Sequence, residues 1–285
     1  MAKVMNLIKY ATPFSILHAV SLLAHRSRIE KFKQALEQVI TPDTYCIDIG
    51  TGTGILAILA AKIGAKKVTA IDINPESIEY AKKSAELNNV GRKIEFVRTH
   101  FKDFIPPDRA DVVTCEMLSS MLFIEQQIPA SYEIVQKMMK PGGILVPSRA
   151  TVFLVPVESE FQWNRFTYGN LSFPKVPQTT SKRVIRDLAP LQILEEFDFY
   201  QIKEYQKVER KLEFKIDETG SVHGLVGMFE AELLPKIKLT MDDGWRELFL
   251  PLENNIEVKE GDIIQIDISY IPGEFDSLQI SSRIK

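Results

Sequence analysis

DIGTGTG, residues 48–54, stands between two apolar runs. The run before it, residues 45–49, has the length of a buried strand, and the run after it, residues 55–63, resembles a short helix. The loop contains three glycines: Gly50, Gly52 and Gly54. Because glycine has no Cβ, such a loop can turn sharply and bring its backbone N–H groups close to a ligand at the start of the helix. The pattern therefore predicts a strand–loop–helix unit that binds a small molecule.

A second strand-like run, residues 67–71, ends in Asp72, about twenty residues after the loop, where a carboxylate can bind both ribose hydroxyls. This spacing predicts a ligand that carries a nucleoside. NAD fits less well, because its fingerprint needs glycine where this chain has Ile55, and Asp48 would repel a pyrophosphate. S-adenosylmethionine has no phosphate, and its positively charged end suits Asp48. The alternative, a glycine-rich turn that binds nothing, stays open.

Helix and strand patterns alternate up to about residue 150. Apolar residues recur at helical spacing over residues 29–39, and Asn74 followed by Pro75 is typical of an N-cap and a first helical residue. Strands are predicted at residues 94–98 and 111–115. A helical stretch then reaches residue 139, and a Pro-Gly-Gly turn leads into a strand at residues 144–146. This alternation predicts an α/β domain with a doubly wound, mostly parallel sheet and leading helices.

The pattern changes after residue 150. Apolar and polar residues alternate over residues 212–216 and 264–270, which is typical of half-buried strands. We therefore divide the chain into an N-terminal helical segment (1–40), a ligand-binding domain (41–150) and an antiparallel β-barrel or sandwich (151–285). Residues 170–188, rich in Pro, Thr, Lys and Arg, form a long excursion that is either a linker or a contact arm.

Composition narrows the class of protein only modestly. The 285 residues, 45% of them hydrophobic, suffice for buried cores. No apolar run approaches the length of a membrane span, and a net charge of −3 gives no electrostatic signature of nucleic-acid binding. Cys46 and Cys115 lie in strand-like runs without the spacing of metal ligands. We therefore expect reduced core cysteines, no metal and a cytoplasmic protein.

Two acids follow the fourth predicted strand. Glu116 comes directly after it, and Glu125 lies nine positions further on. Ligands of open parallel sheets bind at the carboxyl ends of the strands, so Glu116 should face the same crevice as the glycine loop. Two carboxylates can hold one guanidinium through its forked N–H groups and leave the third nitrogen nucleophilic. The pair predicts a cationic methyl acceptor. The alternative, a turn residue and a solvated helix residue, stays open.

Several stretches resemble the protein arginine methyltransferase family. CEMLSSMLFIEQ (115–126) looks like its acidic hairpin, with Glu116 and Glu125 in the positions of its two glutamates. LLAHRSRIEKFKQAL (22–36) is similar to its leading helix, and the stretch 47–72 resembles its cofactor loop. Residues 140–158 and 222–233 look like the entry to its barrel and one barrel strand. The resemblance implies a Rossmann-like methyltransferase sheet followed by a β-barrel, with S-adenosyl-L-methionine as cofactor and protein arginine as methyl acceptor.

The resemblance also implies individual roles. Glu116 and Glu125 would be catalytic, Arg28 would bind the cofactor's carboxylate, and His100 with Phe101 would lie beside the adenine. The cofactor-binding residues are expected to be Arg28, Asp48, Gly50, Gly52, Thr53, Gly54, Asp72, His100 and Phe101. Tyr10 and Phe14 are loose candidates for the family's aromatic substrate gate.

Two positions depart from the family. Its active-site histidine is replaced by Gly244, while the neighbouring Trp245 remains, and the helix position of the aspartate partner holds His25. We hypothesise that His25 occupies the space left at Gly244; a helix-surface histidine is the alternative.

Family members dimerise through an arm in the barrel, and residues 170–188 occupy a similar place. A homodimer and a basic protein or peptide substrate are therefore expected, without nucleic-acid or membrane partners.

Two other functions stay open at this point. One is methyl transfer to another acceptor, such as a small amine, another protein side chain or RNA. The other is a module that binds the nucleoside cofactor without catalysis. The paired acids argue against the second alternative, because a binding module has no need of a site for a cationic acceptor.

Overall fold

The computed structural model describes residues 15–180 and 185–285. Tyr10 and Phe14, proposed above for the substrate gate, lie outside the described residues. The first half of the chain contains two leading helices and then alternating strands and helices. These elements are α1 (Ile16–Ser21), α2 (Arg26–Val39), β1 (Tyr45–Ile49), α3 (Ile55–Ile63), β2 (Lys67–Asp72), α4 (Pro75–Leu87), β3 (Ile94–Arg98), β4 (Ala110–Cys115), α5 (Gln127–Glu133) and β5 (Met139–Val146).

Strands β1 to β5 form one parallel sheet in the order β3-β2-β1-β4-β5. The strand order reverses between β1 and β4, and at such a point the carboxyl ends of neighbouring strands leave a crevice for a ligand. The N-cap prediction for α4 is confirmed, since the Asn74 side chain accepts a hydrogen bond of 2.9 Å from the Glu76 N–H and Pro75 is the first helical residue.

The end of the sheet differs from the sequence-based prediction. After α5, residues 134–138 form a short π-helix, and β5 begins at Met139 instead of residue 144. Its register against β4 shifts between Ala110 and Val112, so the Pro-Gly-Gly turn is an irregularity inside the strand. Gly143 is required there, because a Cβ would lie 2.5 Å from the Met139 side chain and 3.0 Å from a backbone carbonyl.

The second half is mostly antiparallel β-structure, as predicted. Its elements are β6 (Arg149–Glu158), α6 (Glu160–Trp163), β7 (Thr167–Tyr168), β8 (Leu171–Ser172), β9 (Gln178–Thr179), β10 (Arg186–Asp187), β11 (Gln192–Asp198), β12 (Val208–Lys215), β13 (Gly220–Leu234), β14 (Ile237–Leu239), β15 (Leu248–Val258), β16 (Ile263–Tyr270) and β17 (Gln279–Ile284). The long strand β13 lies between β6 and β15, and β12, β16 and β17 form a second sheet. Parts of the excursion at residues 170–188 join the larger sheet, because β9 pairs with β15 and β10 with β6.

A hydrophobic core continues from the parallel sheet into the β domain. Ile49 and Val113 of the sheet belong to the same buried cluster as Phe229 and Ile266 of the β domain. The α/β sheet followed by an antiparallel domain confirms the predicted fold class. None of the helices in residues 15–180 and 185–285 combines the length and the apolarity needed to cross a bilayer.

Candidate active site

A cavity of about 730 Å³ opens at the carboxyl ends of β1, β2 and β4. Its other walls come from the leading helices and from the β-domain segment at residues 244–248. The volume lies in the range of sites that enclose most of a drug-sized ligand. All nine predicted cofactor-binding residues except Gly54, and both predicted catalytic glutamates, line this cavity.

The glycine loop has the backbone conformation that its sequence predicts. Gly50, Gly52 and Gly54 have φ angles of 68°, 52° and 82°, in the region that side-chain-bearing residues rarely adopt. Gly54 also lets the loop approach α4, since a Cβ at this position would lie 2.9 Å from that of Ala81. Gly54 therefore fixes the position of α3 behind the loop, while the other two glycines face the cavity.

Asp72 is held rigidly at the end of β2. Its two carboxylate oxygens accept hydrogen bonds from the backbone N–H groups of Gly52, at 2.9 Å, and Asn74, at 2.8 Å. Burial raises the pKa of Asp72, while these hydrogen bonds act in the opposite direction. The carboxylate thus connects the glycine loop to the next turn and is oriented before any ligand arrives.

Asp48 is buried beneath the loop, and both of its oxygens are occupied. It accepts hydrogen bonds of 2.6 Å from the hydroxyls of Thr51 and Thr114. Burial raises the pKa of Asp48 to about 6, against the effect of these two hydrogen bonds. Thr114 was missed at the sequence level; its only signal was a polar residue inside an apolar strand. Asp48 therefore contributes charge and loop geometry to the site.

His100 and Phe101 form another part of the cavity wall. Their rings are 4.2 Å apart at a tilt of 33°, and Phe101 is buried. The His100 side chain accepts a hydrogen bond from the Lys102 N–H and so caps a short 3-10 turn. Thr53, also predicted as a cofactor contact, is buried in the loop and lines the cavity.

One guanidinium is ion-paired with one predicted catalytic acid, and its charge also affects the other. Arg28 of α2 forms an ion pair with Glu116, and its Cζ lies 4.6 Å from the centre of the Trp245 ring. Burial lowers the pKa of Arg28 to about 10, while the charge of Glu125 acts to raise it. Burial raises the pKa of Glu125 to about 7, although the charge of Arg28 opposes the shift. The resemblance implied that Arg28 faces the cofactor; here it is paired with Glu116.

The β domain holds the acidic loop, residues 116–125, from several sides. The Tyr270 hydroxyl donates a hydrogen bond to the Met121 carbonyl and the Trp245 Nε1–H to the Leu118 carbonyl, both at 2.8 Å. Met121 is fully buried against Gly227, where any Cβ would overlap its side chain. The position of the two acids therefore depends on tertiary contacts with the second domain.

His25 and Gly244 are in direct contact. A Cβ at Gly244 would lie 2.4 Å from the His25 ring, so the spatial part of the hypothesis on this pair is confirmed. The preceding residue, Asp243, is buried and accepts hydrogen bonds from Ser27, at 2.5 Å, and Lys31, at 2.6 Å. Sequence reasoning missed Asp243, because its partners lie more than 200 positions away in the chain.

Comparison with known proteins relates the chain to methyltransferases. Residues 33–149 match the family described as ribosomal protein L11 methyltransferase (PrmA). Protein arginine N-methyltransferase 8-B of Danio rerio is 28% identical over 82% of this chain, which spans 61% of that protein's length. Protein arginine N-methyltransferase 1 of Dictyostelium discoideum is 23% identical over 93% of this chain and 82% of its own. The chain is therefore similar to protein arginine methyltransferases over most of its length.

A solved structure shows that the fold is also shared. The enzyme–prozyme heterotetrameric complex of Trypanosoma brucei PRMT1 with AdoHcy matches with a TM-score of 0.76. The match covers 92% of this chain and 95% of that chain at 17% sequence identity. At this identity the likeness shows the fold alone. The structural match covers both domains of this chain, whereas the PrmA match ends where the β domain begins.

Proposed function

We propose that the protein transfers the methyl group of S-adenosyl-L-methionine to the guanidinium group of arginine side chains in proteins. The observation that supports this most directly is that Glu116 pairs with a guanidinium, that of Arg28, while Glu125 lines the same cavity. The acids thus suit a planar cation, and they share a cavity with the glycine loop and Asp72.

The cavity fits the proposed cofactor in size and chemistry. Asp72 would bind the ribose. The rings of His100 and Phe101 would contact the adenine, and the buried charge of Asp48 would favour the cationic methionine end. The cofactor supplies an electrophilic methyl group on a positively charged sulfur. The loop glycines bring backbone N–H groups to the cavity.

The chain's own contribution is to hold and polarise the acceptor. An arginine guanidinium cannot be deprotonated near neutral pH, so its charge has to be shifted within the group. Glu116 and Glu125 would accept hydrogen bonds from two of its nitrogens and draw the positive charge toward them. The third nitrogen would keep its lone pair for bonding to the methyl carbon, whose bond to sulfur would break at the same time. The proton that this nitrogen loses would leave to solvent.

Two substitutions test this role. Glu116→Gln and Glu125→Gln keep the shape of each side chain and remove its charge, so each should abolish methyl transfer to an arginine peptide. Binding of S-adenosylmethionine, measured by calorimetry, should be nearly unchanged. Glu86→Gln, at an exposed position on α4, is the matched control. Full activity in either site variant would refute the proposed holding of the guanidinium.

The pH dependence follows from the raised pKa of Glu125, about 7. The protonated carboxyl cannot hold a cation, so kcat/KM should rise as pH increases through about 7 and level off above it. Because kcat/KM reports ionisations of the free enzyme, its pH profile measures the pKa of Glu125. A value of kcat/KM that stays flat between pH 6 and 8 would contradict the requirement for ionised Glu125.

Another methyl acceptor is the second candidate function. It is favoured by the PrmA match, which covers the α/β domain and not the β domain. Incubation with labelled S-adenosylmethionine and a lysate of the host, followed by mass spectrometry, distinguishes the candidates by the residue that gains mass. A cofactor that binds without any labelled product would instead indicate a binding module.

The expected partners and location are also proposals. A basic protein or peptide substrate suits two acids at the cavity; nucleic acid and membrane are not expected. A homodimer is supported by exposed apolar side chains on α6 and the segment after it: Phe161, Tyr168, Leu171, Phe173 and Val176. A monomeric mass at micromolar concentration would contradict it. A cytoplasmic location is supported by the two free cysteines, both buried.

A further inference from the structure

The acidic loop reverses direction within a few residues. Met121 and Leu122 have φ angles of 61° and 52°, in the left-handed region. Side-chain-bearing residues adopt this region at a cost of roughly 1–2 kcal/mol each, so the reversal needs contacts that hold it. The β domain supplies such contacts at Leu118 and Met121, before the chain reaches Glu125.

The second half of the loop is held from within by Ser119. Its Oγ accepts a hydrogen bond of 3.1 Å from the Ile124 N–H and another of 3.0 Å from the Glu125 N–H. The Ser119 carbonyl also accepts a 2.7 Å hydrogen bond from the Leu122 N–H. One serine therefore binds the backbone within the left-handed turn, at Leu122, and after it, at Ile124 and Glu125. One of the two hydrogen bonds to its side chain comes from Glu125, the residue whose carboxyl group the proposed reaction requires.

We propose that Ser119 is a positioning residue: its hydroxyl fixes the backbone of Glu125 and thereby the position of the Glu125 carboxyl group in the cavity. The consequence for catalysis rests on the proposed function, whereas the fixing of Glu125 does not. The Glu125 carboxyl is in a buried environment that raises its pKa, and there its interaction with a cation depends strongly on position. A displacement of about 1 Å can cost on the order of a hundredfold in rate.

Serine suits this position better than most residues. Ser119 has an extended backbone, with φ −124° and ψ 162°, and it precedes the 3-10 turn at residues 120–122. A short hydroxyl side chain there can reach N–H groups further along the chain, as in helix caps and Ser/Thr turns. Threonine carries the same hydroxyl and favours extended backbone, so Ser119→Thr is expected to keep the function of this residue. Ser119→Ala removes only the acceptor.

The experiment combines amide hydrogen exchange at single-residue resolution with steady-state kinetics on an arginine peptide. In Ser119→Ala, exchange should accelerate at Ile124 and Glu125 and stay unchanged in β1 to β4. The kcat should fall by about tenfold to a hundredfold, while cofactor affinity is retained. Ser119→Thr should restore both readouts. Ser148→Ala, which loses a hydroxyl bonded to the Glu232 carbonyl outside the cavity, is the control for general destabilisation.

The outcomes separate the two proposals. Unchanged exchange at Ile124 and Glu125 in Ser119→Ala would overturn the inference whatever the activity. Faster exchange with an unchanged kcat would overturn the positioning role. If the wild-type protein methylates no arginine but the exchange result holds, the proposed function fails, while the fixing of Glu125 by Ser119 stands.

Discussion

The imidazole of His25 lies where any side chain at position 244 would have to begin. Gly244 also has a φ of 125°, which favours glycine for a second, independent reason. A substitution at this position therefore adds steric overlap to backbone strain. The two contributions can be separated, because shortening His25 removes the steric overlap and leaves the backbone strain.

A double-mutant cycle tests this contact. Gly244→Ala should destabilise the wild-type protein by about 2 kcal/mol or more, through overlap and strain together. In the His25→Ala background the loss should shrink to about 1 kcal/mol, the backbone part alone. Chemical denaturation measures both values. Gly64→Ala is the matched control, because Gly64 has a φ of 130° and no atom within 4 Å of its Cβ position. Equal losses in the two backgrounds would contradict the steric fit.

At the scale of elements, α2 connects the site to the β domain. Lys31 and Ser27 of this helix both bind Asp243, which is buried and also accepts a hydrogen bond from the Thr240 N–H. Burial acts to raise the pKa of Asp243. The hydrogen bonds from the side chains of Lys31 and Ser27 and from the Thr240 N–H outweigh this effect, so the pKa is lowered. Because Arg28 lies on the same helix, this anchor also fixes the guanidinium beside Glu116.

Lys31 should therefore matter more than a surface lysine of the same helix. Lys31→Met leaves the buried carboxylate of Asp243 without its cationic partner, and a loss of about 2 kcal/mol in the free energy of unfolding is expected. Lys33 pairs with Glu30 and Glu37 on the exposed face of the helix. Lys33→Met should leave the free energy of unfolding nearly unchanged, because solvent screens an exposed ion pair. Urea denaturation measures the free energy of unfolding of both variants. Equal losses in Lys31→Met and Lys33→Met would show that the contact with Asp243 does not stabilise the protein.

Local signals in the sequence explain which elements were predictable. Glycine conformation and the Asn74 cap depend on neighbouring residues, and the position of Glu116 follows from the rule that sheet ligands bind at strand ends. The start of β5 was predicted too late, because its early residues pair with β4 around an irregularity that no local pattern encodes. The contacts of Arg28 with Glu116 and of Trp245 with Leu118 join residues far apart in the chain, so the sequence alone could not place them.

At the scale of the whole molecule, the site lies where the two domains share their core. Phe123 of the acidic loop packs edge-to-face on Tyr270 of β16, with ring centres 5.4 Å apart. The backbone of Phe123 also accepts a 2.8 Å hydrogen bond from the Gly273 N–H. The acids therefore need both domains to reach their positions, and their burial links the stability of the whole chain to pH.

The raised pKa of Glu125 sets the sign of this link. In the unfolded chain the carboxyl has a pKa near its ordinary value of 4.5, and in the folded protein near 7. Between these values the folded state binds more protons, so the free energy of unfolding falls as pH rises from about 4.5 to about 7. Glu125→Gln removes this contribution. The stability of the wild type relative to Glu125→Gln should therefore decrease over that interval, measured by urea denaturation at several pH values.

Glu158 provides the control of opposite sign. The backbone N–H of Ser221 and the side chain of Arg186 lower the pKa of Glu158 below its ordinary value of 4.5. The contribution of Glu158 to the free energy of unfolding is therefore complete above pH 4.5 and is lost as the pH falls below that value. Glu158→Gln should therefore leave the pH dependence between about 5 and 7 unchanged and alter it only in more acidic solution. If Glu125→Gln and Glu158→Gln shift the same pH interval, the folded protein does not bury the Glu125 carboxyl. The electrostatic basis of the acidic site would then be wrong.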